Sequence, residues 1–168
     1  MQRINKSPLW AFCVFSMFLS WLWNDKKIEG DIVDLYLEEN IPPERSSDHA
    51  RNLVYAIYLH DSNKLVGTCD LRVGMNDELY YAGNIGYRIY EGSRGHHYAY
   101  HACLMLFDIA KDYDMDKLII TCSPDNIPSK KTLEKLDGTL LEVTDVPRYH
   151  WLYKRGETVK NIYEYILK

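Results

Sequence analysis

Residues 84–99 read NIGYRIYEGSRGHHYA, a strand-like run that passes through a glycine-bearing loop into a predicted helix. Backbone N–H groups in such a loop and the partial positive charge at a helix start both attract a pyrophosphate. The segment is therefore a candidate site for a phosphorylated ligand, although a plain tight turn has the same composition. The helix is predicted from apolar residues that recur at helical spacing, namely Ala99, Ala102, Cys103, Leu106, Phe107 and Ala110.

The residues that follow continue this pattern with a strand and a capped helix. Residues 118–122 are a short, continuous apolar run, which is typical of a strand buried on both faces. Asn126 can cap the next helix, Pro128 suits its first turn, and Gly138 lies just past its end. Two closing strands are predicted beyond it, at residues 140–146 and 162–167, joined by a connection rich in tyrosine and basic residues.

The preceding half of the chain predicts an antiparallel meander. Residues 53–60 and 65–73 are β-branched and aromatic runs on either side of an Asp-Ser-Asn-Lys turn, which predicts a hairpin. A third strand is predicted over residues 80–90. Its two glycines, Gly83 and Gly86, indicate a bulge or a close approach of another backbone.

Two helices are predicted before the meander. Residues 25–40 space Ile28, Ile32, Leu35 and Tyr36 as in an amphipathic helix, which the following prolines would end. Residues 9–23 are apolar apart from two serines, and a buried first helix is the favoured interpretation. This run is too short to cross a bilayer as a helix and lacks a cleavage site of small residues, so membrane association is the minority interpretation.

The bulk properties favour a single domain over residues 1–168. Apolar residues make up 46% of the chain and charged residues 26%, as in an ordinary soluble protein. The net charge of -4 argues against a dedicated nucleic-acid binder. The cysteines are too far apart for a zinc site and are interpreted as core residues of a cytoplasmic protein: Cys13, Cys69, Cys103 and Cys122.

Three motifs, taken in order and spacing, resemble the GNAT superfamily of acetyl-CoA-dependent N-acetyltransferases. They are NIGYRI at residues 84–89, RGHHYA at 94–99, and NIPS at 126–129 before LEKL at 133–136. The chain is most similar to the subgroup that modifies ribosomal-protein N termini, small amines and antibiotics. The resemblance implies an α/β (α+β) fold with a mixed central sheet of about six strands, an antiparallel N-terminal meander and about four flanking helices.

The resemblance also implies a binding site for acetyl-CoA. In the family, the amides of the loop wrap the pyrophosphate of coenzyme A, and Arg94 and Ala99 match the loop pattern. His97 occupies the position at which the pattern has glycine. Two interpretations are open: one of His96 and His97 contacts the cofactor, or both histidines face solvent. The residues expected to bind the cofactor are Tyr87, Arg88, Ile89, Arg94, Gly95, His96, His97, Tyr98, Ala99 and Asn126.

The reaction implied by the resemblance is direct attack of a neutral primary amine, on a small molecule or a protein N terminus, in a ternary complex. Many relatives place a tyrosine general acid where this chain has Leu133, so Ser129 is the expected catalytic residue and proton donor. Because an alkyl ammonium has a pKa of roughly 10, a carboxylate or a water chain must take a proton from the acceptor first. Asp70, Glu142 and Asp145 are unranked candidates.

The sequence is also compatible with other functions. A catalytically silent acyl-CoA-binding or interaction module on the same fold is the alternative to an enzyme. His97 and His101 have the spacing of a zinc pair but no evident third ligand, so no metal is expected. Tyr149, Trp151 and Tyr153 either line an acceptor cleft or pack a long hairpin. No nucleic-acid partner is expected, and a homodimer is compatible with the sequence.

Overall fold

The fold rests on two antiparallel sheets in the part of the chain that this computed structural model describes, residues 27–167. The first sheet has its strands in chain order: β1 (Lys27–Ile28), β2 (Val33–Ile41), β3 (Arg51–Leu59), β4 (Leu65–Val73) and β5 (Ile85–Ile89). The second sheet has the order β6-β8-β7, formed by β6 (Lys117–Cys122), β7 (Thr139–Asp145) and β8 (Val159–Ile166).

Four α-helices connect or flank these strands within residues 27–167. They are α1 (Asp77–Ala82), α2 (Tyr98–Asp112), α3 (Ile127–Lys135) and α4 (Trp151–Lys154). The α/β fold class expected from the resemblance is confirmed. The strands differ from the expected single mixed sheet because β5 and β6 belong to separate sheets.

The core lies between α2 and one face of the first sheet. Ala102, Cys103 and Leu106 of α2 are fully buried against alternate residues of the strands, such as Leu53 and Leu71. Burying a leucine side chain contributes about 1.5–3 kcal/mol. The apolar residues whose spacing predicted α2 therefore form the face of the helix that packs against the sheet.

The predicted helix over residues 25–40 is wrong, because this segment contains β1 and most of β2. Strand β2 forms an antiparallel ladder with β3, in which Leu35 pairs with Ile57. Val33, Leu35 and Leu37 alternate toward the core, which is the period of a strand. The spacing of the isoleucines resembled a helix, but pairing with β3 decided the backbone conformation.

The predicted third strand over residues 80–90 is too long, and its first part is helical. Asn76 caps α1 by accepting a hydrogen bond from the Leu79 amide at 2.8 Å. Gly83 ends that helix with φ +81°, and β5 covers only Ile85–Ile89. A Cβ at Gly83 would lie 3.1 Å from the Thr121 backbone nitrogen, so the expected close approach of another backbone is found there, whereas a Cβ at Gly86 would lie 2.5 Å from the side chain of Asp70.

The hairpin of β3 and β4 and the closing strands β7 and β8 confirm the remaining strand predictions. The connection before β8 contains the short helix α4. The prediction for residues 9–23 lies outside the described residues. Among residues 27–167, no helix is long and apolar enough to cross a membrane.

Asn84 joins the two sheets just before the strands part. Its backbone N–H donates to the Ile119 carbonyl at 2.6 Å, and its side-chain oxygen accepts from the Ile119 amide at 2.8 Å. Its side-chain nitrogen donates to the carbonyls of Arg72 and Gly74. Beyond this fully buried residue, β5 continues in one sheet and β6 in the other. A cleft opens where they separate.

Candidate active site

The cleft between β5 and β6 has a volume of about 900 Å³. One wall is the free edge of β5, which pairs with β4 on its other side. The loop before α2, the start of α3, and residues of α4 and β8 also line the cleft. The separation of the sheets therefore creates a site lined by elements of both sheets and by two helix starts.

The loop before α2 is shaped by two residues with left-handed backbone conformations, Gly95 at φ +86° and His97 at φ +60°. His97 occupies the N-cap position of α2 and makes no capping hydrogen bond with its side chain. The first N–H groups of a helix have no partner within the helix. Those of this 15-residue helix therefore suit an anion, and Arg94 lies beside them with Nε donating to the Ile89 carbonyl.

The start of α3 faces the same cleft. The Asn126 side chain caps the helix by accepting a hydrogen bond from the Ser129 amide at 3.2 Å. Lys131, on the same helix, adds a positive charge to the cleft wall. Two helix starts and several basic side chains thus converge on one end of the cleft, which fits a ligand with several phosphates.

Ser129 is not isolated in the cleft, because its Oγ lies 2.8 Å from the phenolic oxygen of Tyr87. Tyr87 extends from β5 and packs against the core. Burial raises the pKa of Tyr87 to about 12, so the phenol is protonated at neutral pH. The sequence placed both residues at the site, but nothing in the sequence indicated that their side chains are paired.

Leu133 lies where the family pattern has a tyrosine, and its side chain is fully buried in the core. Its backbone carbonyl accepts a hydrogen bond from the Tyr165 hydroxyl at 2.8 Å. This position therefore presents no side-chain proton donor to the cleft. The hydroxyl groups that α3 does present there are those of Ser129 and Thr132.

The cleft also contains polar residues that the sequence analysis missed. Glu157 accepts hydrogen bonds from Ser123 and from Lys160, and all three residues line the cleft. Both charged residues lie in or beside the last strand, far in sequence from the motifs, and no local pattern marks them. Trp151, for which the sequence left two interpretations, lines the cleft, whereas Tyr149 is 72% exposed.

A buried carboxylate contacts two residues of the cleft wall. Asp48 accepts a hydrogen bond from the Trp151 indole at 2.9 Å and forms an ion pair with Arg72 at 3.0 Å. Arg72 also pairs with Asp70 at 3.1 Å. Asp48 is 3% exposed, so its charge is compensated by these partners. The network holds both cleft-lining side chains, Arg72 and Trp151, in place.

The structure ranks the three carboxylates proposed as bases. Glu142 accepts a hydrogen bond from Tyr80 on the surface, and Asp145 is exposed on β7. Asp70 lies directly behind Gly86, which lines the cleft. Burial raises the pKa of Asp70, and the Arg72 charge opposes that effect. Asp70 is the member of the three that contacts residues of the cleft wall, namely Gly86 and Arg72, although it does not line the cleft itself.

Ser129 and the ten residues that the sequence analysis named as cofactor-binding line this one cleft, whereas none of the three candidate bases does. Their roles remain predictions. Burial is the main cause that lowers the pKa of His101, and the charges of Lys135 and His97 act in the same direction. Within the described residues, no group of three or more His, Cys, Asp or Glu side chains is arranged to hold a metal ion.

Together, the two parted sheets and the basic end of the cleft define an α/β domain suited to a phosphorylated ligand. The family model described as "Acetyltransferase (GNAT) domain" matches residues 16–139. The chain therefore belongs to the GNAT acetyltransferase family. Comparison with curated proteins finds no match.

Several solved structures share the fold. The microcin C7 self-immunity acetyltransferase MccE, solved with acetyl-CoA and AMP, is 20% identical over 68% of this chain and 61% of its own, with a TM-score of 0.52. The Salmonella typhimurium acetyltransferase that modifies the N-terminal serine of ribosomal protein L7/L12 is 21% identical over 70% and 64%, with a TM-score of 0.54.

The ribosomal-protein-S5-alanine acetyltransferase from Vibrio fischeri aligns over more of both chains. It is 14% identical over 84% of this chain and 97% of its own, with a TM-score of 0.61. This chain spans less than two thirds of the MccE and Salmonella proteins. At these identities, the likeness concerns the fold.

Proposed function

We propose that the protein transfers an acetyl group from acetyl-CoA to a primary amine by direct attack in a ternary complex. The observation that carries the proposal is the cleft between β5 and β6, which is lined by two helix starts and by basic side chains. Family membership supports the acetyl donor, since GNAT domains are acetyltransferases by description. A cytoplasmic location is proposed from the buried free thiols of Cys69, Cys103 and Cys122.

Coenzyme A is proposed to bind with its phosphates at the start of α2. The amides of residues 95–99 and the Arg94 side chain would hold the pyrophosphate, because both present positive charge at one end of the cleft. The pantetheine arm would then follow β5, with Tyr87, Arg88 and Ile89 on one side and Asn126 on the other. This path brings the thioester to Ser129.

The chemistry is proposed to depend on positioning and hydrogen bonding. The N–H groups on the free edge of β5 would stabilise the oxyanion as the amine attacks the thioester carbonyl. Asp70 is the proposed proton acceptor for the amine, because it lies directly behind Gly86 of the cleft wall and burial raises its pKa, an effect that the Arg72 charge opposes. Ser129 would assist departure of the thiolate.

The acceptor is proposed to be a small molecule or a protein N terminus. The Salmonella neighbour modifies the N-terminal serine of ribosomal protein L7/L12 by name, the Vibrio neighbour is a ribosomal-protein-S5-alanine acetyltransferase, and MccE is a microcin C7 self-immunity acetyltransferase. The acceptor would enter beside Trp151, which lines the same cleft.

Calorimetry with acetyl-CoA, followed by thiol release with polyamines, aminoglycosides and N-terminal peptides, tests the proposal. Ala99→Asp should abolish acetyl-CoA binding, because it places a negative charge beside the phosphates. Arg94→Ala, an exposed change that preserves the fold, should weaken binding about 3- to 30-fold. Leu104→Asp is the matched control, with the same charge on an exposed position of α2.

The outcomes separate the two candidate functions. Thiol release that depends on an amine supports the transferase. Tight binding of acetyl-CoA without turnover of any acceptor would instead favour the catalytically silent acyl-CoA-binding module. The buried Leu133 is compatible with that module, because its side chain cannot donate a proton. Unchanged acetyl-CoA affinity in both Ala99→Asp and Arg94→Ala would place the cofactor elsewhere.

A further inference from the structure

The contact between Tyr87 and Ser129 connects the two sides of the cleft at the point where the strands have separated. Tyr87 belongs to β5, Ser129 belongs to the first turn of α3, and their oxygens are 2.8 Å apart. We infer that Tyr87 is a positioning residue that orients the Ser129 hydroxyl toward the departing sulfur of coenzyme A. This inference rests on the proposed function.

The direction of the hydrogen bond decides what Ser129 can do. A serine hydroxyl has a single hydrogen and rotates among staggered positions. If Ser129 donated to the phenol, it would have no hydrogen left for a ligand. If Tyr87 donates instead, the serine hydrogen is free to point into the cleft. The rigid ring of Tyr87, packed against the core, is the better-fixed partner.

The raised pKa of Tyr87 favours a positioning role for this residue over the role of a proton donor. Burial raises the pKa of Tyr87 to about 12, whereas an ordinary thiol has a pKa of about 8.5. A thiolate would therefore not take the phenolic proton to a significant extent. Tyr87 keeps its proton in the hydrogen bond to Ser129 and acts through that bond.

All bonds and protons of the transfer step are then accounted for without a proton from Tyr87. The amine nitrogen forms a bond to the acetyl carbon, and the C–S bond breaks with its electron pair on sulfur. The Ser129 hydroxyl donates a hydrogen bond to the thiolate as it forms. The nitrogen loses one proton to the proposed base, and the sulfur gains one proton from water.

Tyr165 provides a matched control for the loss of a phenolic hydroxyl. Its hydroxyl also anchors α3, but it donates to the Leu133 backbone carbonyl and lies outside the cleft. Tyr165→Phe should lower stability and leave the chemistry of bound coenzyme A unchanged. Tyr87→Phe should affect that chemistry, because it removes the oxygen that orients Ser129.

The first experiment measures the thiol pKa of coenzyme A bound to each variant, followed by the ultraviolet absorbance of the thiolate. It requires no acceptor. Tyr87→Phe and Ser129→Ala should each raise that pKa by about 0.5 to 1, and the double variant should raise it little further. Tyr165→Phe should leave the pKa unchanged. An equal pKa in Tyr87→Phe and the unaltered protein would overturn the inference.

The second experiment uses a verified acceptor and measures kcat and KM separately. Tyr87→Phe should lower kcat about 3- to 30-fold with little change in KM for acetyl-CoA, and Ser129→Ala should have a much smaller effect in that background. Independent, additive effects would show a merely structural role and overturn the inference. Failure of coenzyme A to bind the unaltered protein would instead reject the proposed function.

Discussion

At the scale of single residues, His97 departs from the pattern of the family in a position where the backbone favours glycine. Its φ of +60° lies in the left-handed region, which costs a residue with a Cβ roughly 1–2 kcal/mol. Strained residues of this kind tend to occur at functional sites. The proposed phosphate loop keeps the left-handed turn despite this cost.

We expect His97→Gly to raise the free energy of unfolding by up to about 1 kcal/mol. The relief of strain exceeds the extra freedom that glycine gives the unfolded chain. Urea denaturation measures the change. Gly95→Ala is the control of opposite sign, because Gly95 has φ +86° and a Cβ there meets no atom within 4 Å. A destabilised His97→Gly would show that the imidazole makes contacts that stabilise the fold.

At the scale of elements, the end of α3 contains a glycine that the sequence analysis explained by helix capping, whereas the structure requires it for a packing reason. Gly138 was predicted to follow the helix as a cap. The helix ends at Lys135, and Asp137 adopts the left-handed conformation with φ +62°. Gly138 is required because a Cβ there would lie 2.3 Å from the ring of Tyr165. The glycine therefore makes room for β8.

Gly138→Ala should lower the free energy of unfolding by about 1–3 kcal/mol, because the added methyl group forces Tyr165 and α3 apart. Asp137→Gly, one residue earlier, should raise it by up to about 1 kcal/mol, because glycine suits the left-handed position. Thermal melts of both variants provide the comparison. Equal stability of Gly138→Ala and the unaltered protein would mean that Tyr165 moves aside freely.

At the scale of the whole molecule, acetyl-CoA is proposed to contact elements of both sheets. A ligand that binds only the folded state adds about 2.7 kcal/mol to the free energy of unfolding when its concentration is 100 times its dissociation constant. For a domain of this size, we expect acetyl-CoA to raise Tm by about 5–10 °C. Differential scanning fluorimetry measures the shift, with NAD as the control. A comparable shift with NAD would indicate a site that does not select coenzyme A.

Local sequence determined the elements whose signals are contained within a few residues. The helical spacing of Ala102, Cys103 and Leu106 marked α2, and Asn126 with Pro128 marked the start of α3. These signals are reliable because capping and amphipathic periodicity act over one or two turns. The residues predicted to bind the cofactor, which come from the motifs at 84–99 and 126–129, line one cleft, and their roles stay predictions.

Only the tertiary structure decided what depends on distant pairing. Residues 33–41 form a strand because β3 supplies their hydrogen-bond partners, and the local spacing could not reveal that partner. The contact of Tyr87 with Ser129 joins residues 42 positions apart, and Glu157 and Lys160 reach the cleft from the end of the chain. The motifs in the sequence identified Ser129, the group proposed to assist the chemistry. Packing of the two sheets set their distances, because interactions between remote residues follow from topology and not from local periodicity.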